Sequence, residues 1–60
     1  MSLKINDRVT IISGVMKDKT GVIVVVEDRD IMTSLQWYHV KLPNVSQPIY
    51  YLENELMRIN

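Results

Sequence analysis

The chain has 60 residues and no cysteine, and its seven basic and seven acidic side chains give a formal net charge of zero. A chain of this length buries only about 60% of the surface that it exposes when unfolded, and no disulfide or thiolate metal site can add stability. Without a cationic surplus, a dedicated nucleic-acid binder is disfavoured. No apolar run reaches the roughly 20 residues of a membrane span, so we expect a cytoplasmic protein without membrane contact.

The first part of the chain predicts a strand followed by a turn. Met1-Ser2-Leu3 is interpreted as a short leader. Within a strand predicted from Arg8 to Ser13, the apolar residues Val9 and Ile11 share one face at a spacing of two. Two glycines, Gly14 and Gly21, bracket the turn that follows, because glycine adopts positive φ at little cost.

The second predicted strand, from Thr20 to Glu27, is apolar on both faces. Its five consecutive β-branched residues, from Val22 to Val26, favour a strand and disfavour a helix. The predicted inner face consists of Val22, Val24 and Val26, and the predicted outer face of Ile23 and Val25. Because that outer face is apolar, it requires cover from another segment or from a second copy of the chain.

The remaining elements are predicted from alternation and from turn residues. A charged loop is predicted from Glu27 to Ser34, followed by a third strand from Leu35 to Leu42. In that strand the predicted inner residues are Tyr38, Val40 and Leu42, and the outer residues are Trp37, His39 and Lys41. The later elements are a turn over Pro43 to Pro48, a strand over Ile49 to Leu52, a 3₁₀ turn over Glu53 to Leu56 and a closing strand over Met57 to Ile59.

The first hairpin resembles the KOW motif, the two-strand unit that opens many small SH3-like barrels. The matching positions are Gly14, Lys17, Gly21, Val22 and Val24. Asp18 stands where a glycine is common in the motif, and aspartate accepts a left-handed backbone better than most residues. The resemblance implies an all-β fold: residues 1–60 as a single five-stranded SH3-like barrel with one short 3₁₀ turn.

KOW domains belong largely to ribosomal proteins and transcription factors, in which the loop of this hairpin contacts RNA or a protein. The resemblance therefore implies that Lys17, Lys19 and Arg8 contact RNA or DNA. The alternative is that the two lysines of the turn keep it solvated and protect the strand ends from aggregation.

A narrower resemblance connects the chain with the plasmid-borne type II dihydrofolate reductases, which are small SH3-like barrels active as homotetramers. Shared segments are Asp7-Arg8-Val9, Ser13-Gly14 and Leu56-Met57-Arg58-Ile59-Asn60. The lysine that lines the pore of those enzymes corresponds here to Ile11, and Pro48 interrupts their ligand-contacting Val-Gln-Ile-Tyr run. The similarity therefore implies a homo-oligomer more strongly than it implies the reductase activity.

Catalytic chemistry has little basis in this sequence. His39 is the single histidine, with no carboxylate at a spacing that would orient it, and no ligand spacing for a metal is present. We therefore expect no catalytic residue, no metal and no cofactor.

The aromatic residues are the better candidates for a site, because a ring with a polar tip binds partners well. Tyr50 and Tyr51 are predicted to lie on opposite faces, one of them buried. The predicted partner-binding residues are Trp37, His39, Ile23, Val25, Tyr50 and Tyr51. The predicted function is a non-enzymatic binding module that docks on a protein or nucleoprotein partner, in transcription, translation or a mobile genetic element.

Overall fold

A computed structural model describes residues 3–59, which form five strands and one short 3₁₀ turn. The elements are β1 (Arg8–Ile11), β2 (Thr20–Arg29), β3 (Gln36–Lys41), β4 (Ile49–Leu52), the turn η1 (Glu53–Glu55) and β5 (Leu56–Arg58). The predicted all-β class is confirmed. Met1 and Ser2 of the predicted leader, and Asn60 of the reductase-like segment, lie outside the described residues. Over residues 3–59 there is no helix of the length and apolarity that crossing a bilayer requires.

The five strands form one antiparallel sheet in the order β4-β3-β2-β1-β5. The sheet is open, with β4 and β5 at its two edges, so the predicted closed barrel is wrong. Within residues 3–59 no pairing joins β4 to β5; the three residues of η1 lead the chain from one edge of the sheet to the other. There β5 pairs with β1, and Leu56 lies opposite Ile11.

The prediction for β2 is wrong at Ile23, which is inner, and at Val22, which is outer. Beyond the register shift at Val24, Val25 lies in the outer row as predicted, and Val26 lies opposite the buried Tyr38. Ile23 is completely buried, whereas Val24, Val25 and Val26 are 36%, 38% and 40% exposed. Val22 lies in the outer row between two exposed residues of β1 and β3. Residues that lie opposite one another share a face, and Ile23 lies opposite the buried Val40. The sequence did not indicate which of these side chains enter the core, because the residues on both faces of β2 are apolar.

A β-bulge explains why three successive valines remain partly exposed. Ile23 lies opposite Val40, but Val25 lies opposite His39, so β2 carries one extra residue at Val24. Pairing with β1 ends at Val22, beyond which β2 pairs along its length with β3 alone. The second half of β2 therefore has a neighbouring strand on one side only, within residues 3–59.

The two glycines of the first hairpin serve different purposes. Gly14 has a φ of +85°, as expected for a turn glycine, and Asp18 likewise adopts a left-handed φ of +75°. Gly21 is required by space instead: a Cβ there would lie 2.6 Å from the carbonyl oxygen of Lys41. It would also lie 2.8 Å from side-chain carbons of Val40 and Leu42. Gly21 therefore allows β3 and the residue that follows it to approach β2 closely.

The predicted alternation of β3 is confirmed by burial. Tyr38, Val40 and Leu42 are at most 2% exposed, and they pack with other apolar residues in one core. The Tyr38 hydroxyl donates a hydrogen bond to the carbonyl of Leu3, 3.5 Å away, and burial raises the pKa of that hydroxyl. Leu3 also packs against the core, so it is part of the fold and the leader interpretation is wrong for this residue.

Replacing Ile23 by alanine is expected to destabilise the protein by about 2–5 kcal/mol, because it leaves a cavity in the core. Val25→Ala, two positions along the same strand, is the matched control and should cost about 1 kcal/mol or less. Urea denaturation measures both costs. Ile23→Val, expected to cost about 0.5–1.5 kcal/mol, serves if the alanine variant does not fold. Equal costs at the two positions would contradict the observed faces of β2.

Candidate functional site

Three side chains form one row across the outer face of β2, β3 and β4. The register places Val25 opposite His39, and His39 opposite Tyr50. The rings of His39 and Tyr50 are stacked, with centroids 4.0 Å apart and an interplanar angle of 19°. Tyr50 remains 59% exposed, so the row presents an aromatic surface to the surroundings.

A carboxylate lies beside His39, contrary to the sequence-based expectation. The Nε2 atom of His39 is 2.9 Å from Oε2 of Glu27, within ion-pair distance, although the two groups are not aligned as a hydrogen bond. The expectation was wrong because β2 does not end at Glu27. It continues to Arg29, which keeps Glu27 alongside β3. The other neighbours of His39 in its row are Val25 and Tyr50, and the Tyr50 ring stacks on the imidazole.

The predicted partner-binding residues separate into two groups. Trp37 lies in the outer face of β3, half-buried and opposite Leu52, and His39 and Val25 lie in the same outer face. Ile23 and Tyr51 instead lie in the core, with 0% and 9% exposure. Ile23 faces inward with Val40, and Tyr51 lies opposite Tyr38, so neither presents its side chain to a partner.

A groove of about 410 Å³ adjoins this row at the tip of the β2–β3 hairpin. Its lining residues are Glu27, Asp28, Arg29, Asp30, Ile31, Met32, Trp37 and Tyr50. Ile31 and Met32 at the tip of the turn are 95% and 90% exposed. The groove therefore combines two aromatic rings, three carboxylates and two freely exposed apolar side chains. Sequence reasoning placed this segment in a plain charged loop and missed its relation to Trp37.

Asp30 holds the turn at the rim of the groove. Its Oδ2 atom accepts hydrogen bonds from the backbone N–H groups of Met32, at 3.1 Å, and Thr33, at 3.0 Å. The Thr33 hydroxyl donates to the same oxygen at 3.1 Å. The pKa of Asp30 is lowered, mainly by the backbone hydrogen bond from Thr33, with a smaller contribution from the Trp37 side chain. An aspartate two and three residues before the donors is a sequence signal that identifies such a turn.

Arg29 is the one cation among the lining residues of the groove, and its guanidinium contacts two groups outside that lining. Nη1 of Arg29 donates a hydrogen bond to the carbonyl of Ser34 at 2.8 Å and lies 3.9 Å from Oε1 of Glu53. The same Glu53 oxygen accepts the backbone N–H of Gln36 at 2.6 Å. Arg29 therefore joins the end of the hairpin to η1, and Glu53 compensates its charge.

The basic residues lie at the other end of β2. Lys17 and Lys19 are exposed in the turn that precedes it, as predicted. Arg8 lies opposite Val22, and Val22 lies opposite Lys41, so the two cations flank one apolar residue in the outer face. Lys41 was not among the predicted basic site residues, because only strand pairing brings it near Arg8.

No trio of histidine, aspartate and glutamate side chains in the described part of the chain is placed to hold a metal ion. In three comparisons, no family model, no curated protein and no solved structure matched this chain. Inferences about function therefore come from the chemistry of the outer face and of the two charged ends.

Asp30 should make the stability depend on pH in the acid range. Because folding lowers its pKa, its contribution is complete above the ordinary value of 3.8 and is lost as the pH falls through the lower value of the folded state. The difference in urea midpoint between wild type and Asp30→Asn is therefore expected to shrink as the pH falls below 3.8.

Asp28→Asn is the matched control for this titration, because the Asp28 carboxylate takes part in none of the hydrogen bonds or ion pairs found within residues 3–59. The effect of Asp30→Asn is compared with that of Asp28→Asn at each pH. A constant difference between wild type and Asp30→Asn down to the lowest pH at which the protein folds would refute the assignment.

Proposed function

We propose that this chain is a non-enzymatic binding module that docks on a protein or nucleoprotein partner through its outer aromatic face. We define the docking face as Val25, Trp37, His39 and Tyr50. The observation that carries the proposal is the combination of the exposed Tyr50 ring, stacked on the largely buried His39, with Trp37 and the adjoining groove. The resemblance to SH3-like barrels, which often bind through aromatic residues, supports it.

The chemistry of the docking face favours a protein surface as the partner. Aromatic rings supply large contact areas with few rotatable bonds, and tryptophan and tyrosine are enriched among the residues that dominate binding energies. Tyr50 offers 59% of its surface, and Val25 adds a 38% exposed apolar side chain in the same row. Exposed aromatic and apolar side chains grouped on one face are typical of interaction sites.

Trp37→Ala is expected to abolish capture of a specific partner by the immobilised protein. The readout is mass spectrometry of the captured proteins, with nuclease treatment to remove indirect capture through nucleic acid. Val15→Ala is the matched control, since Val15 is fully exposed in the opposite turn. Tyr50→Ala is the second test variant, because Tyr50 is more exposed than Trp37 and its loss disturbs packing less. Retention of the same partner by both variants would refute docking through this face.

A second candidate function, contact with RNA or DNA, is favoured by the cluster of cations at the other end of β2. Arg8 and Lys41 lie in one cross-strand row, and Lys17 and Lys19 belong to the adjoining turn. A local group of this kind can neutralise phosphates although the chain as a whole is neutral. The resemblance of this hairpin to the KOW motif supports nucleic-acid contact at the same end of the molecule.

For nucleic-acid contact, removing Lys17 and Lys19 together should weaken binding to single-stranded and duplex oligonucleotides. The slope of the logarithm of the affinity against the logarithm of the salt concentration should also become shallower, by about 0.7–0.9 for each phosphate that the variant no longer neutralises. Lys4→Ala removes one lysine charge from an exposed position outside this turn and should change little. Fluorescence anisotropy at several salt concentrations gives both quantities. Unchanged affinity in the double variant would exclude the lysine turn as the nucleic-acid-binding element.

A further inference from the structure

The groove at the tip of the β2–β3 hairpin has the chemistry of a site for a cation. Trp37 and Tyr50 supply two aromatic rings, and the face of such a ring attracts a positive charge. Three acidic residues, Glu27, Asp28 and Asp30, line the same space; the Glu27 carboxylate also lies beside His39, and that of Asp30 holds the turn. The electron-rich faces of the rings and the negative charge of the carboxylates are independent features, and both favour a cationic ligand.

The only cation among the lining residues of this groove does not cancel those carboxylates. Arg29 donates to the Ser34 carbonyl and lies near Glu53, which adds a fourth carboxylate to this end of the molecule. With four carboxylates and one guanidinium, the end as a whole is strongly negative. The carboxylate of Asp28 is the one most available to a ligand, because it has no hydrogen bond or ion pair within the described chain.

The negative end is also far from the compensating positive charges. Glu27 is the eighth residue of β2, so at about 3.3 Å per residue roughly 25 Å of strand separates it from Lys19, and Asp28 and Asp30 follow it in the chain. The longest dimension of the molecule is 31 Å. Since charges in physiological salt are screened beyond about 8 Å, the lysines do not neutralise the groove.

We propose that the groove binds an arginine or lysine side chain carried by an extended segment of the partner protein. This inference rests on the proposed docking function and specifies the chemistry of its ligand. The cationic head lies against the rings of Trp37 and Tyr50 and pairs with Asp28. Its methylene stem and the neighbouring apolar residues of the segment pack against Met32 and Ile31, which are almost fully exposed in the free protein.

Other occupants are less compatible with this lining. An acidic segment or a phosphate backbone would be repelled by the carboxylates. A wholly apolar segment would remove the Asp28 carboxylate from water without giving it a partner, which is costly. A basic segment satisfies the carboxylates and covers the apolar residues at the same time, so it is the occupant that the charges favour.

The proposal is tested by titrating isotope-labelled protein with the hexapeptide Arg-Gly-Arg-Gly-Arg-Gly and following the NMR signals of the Trp37 indole and of the amides of Asp28 to Met32. We expect saturable shifts at these positions that weaken as salt is added. Asp28→Asn should weaken binding about three-fold, and Trp37→Ala about five-fold, in line with exposed ion pairs and cation–π contacts. Asp18→Asn is the matched control at the opposite end and should bind as wild type does; the spectra of the free variants report whether each one folds.

The hexapeptide Gln-Gly-Gln-Gly-Gln-Gly is the neutral control and should cause no saturable shift. Equal binding of the two peptides would overturn recognition of a cation, as would the absence of shifts at the groove with the arginine peptide. In either case the capture experiment with Trp37→Ala still decides separately whether the docking face is used. Shifts at the groove that grow with protein concentration alone would assign it to a second copy of the chain and overturn the proposal.

Discussion

The pairing of β2 with β3 is the constraint on which both the core and the surface depend. Gly21 lets the end of β3 approach closely, and the register that follows sets Ile23 against Val40 inside the core. One extra residue at Val24 then shifts the pairing, so that Val25 reaches the outer row beside His39. A shift of one residue exchanges the two faces of a strand, which is why this bulge decides what the surface carries.

The same pairing creates the docking face and the groove beside it. Because β2 extends past Glu27, the Glu27 carboxylate lies beside His39. The turn of the hairpin therefore begins only at Asp30. The turn that Asp30 organises holds Met32 and Ile31 beside Trp37. A shorter β2 would have left these residues in a flexible loop. The length of this one strand therefore connects the backbone geometry with the proposed recognition of a cation.

A neutral total charge describes this molecule poorly. The basic residues of the first hairpin and the acidic residues of the second lie at opposite ends of β2, farther apart than charges interact in physiological salt. Each end therefore has its own local electrostatic field. The composition disfavoured nucleic-acid binding because the chain has no excess of basic residues. The pairing of β1 and β3 with β2 nevertheless places Arg8 and Lys41 on either side of Val22, which gives a local excess of positive charge.

Local patterns in the sequence were sufficient where one face of a strand was clearly different from the other. The alternation around Tyr38 and Val40 predicted the inner side of β3 correctly, and the two tyrosines of β4 were correctly expected on opposite sides. The turn bounded by Gly14 and the bounds of β4 also followed from residue type. In the valine run of β2, where both faces are apolar, alternation carried no information, and the prediction was wrong at Val22 and Ile23.

The sequence by itself determined the all-β class, the number of strands and the residues of β3 that enter the core, because these depend on backbone preference and on alternation between neighbours. The tertiary structure alone decided the open sheet, the burial of Ile23, the pairing of Glu27 with His39 and the groove beside Trp37. Each of these depends on the register between strands that are distant in the chain. Register is fixed by packing across the whole sheet, through features such as the space at Gly21.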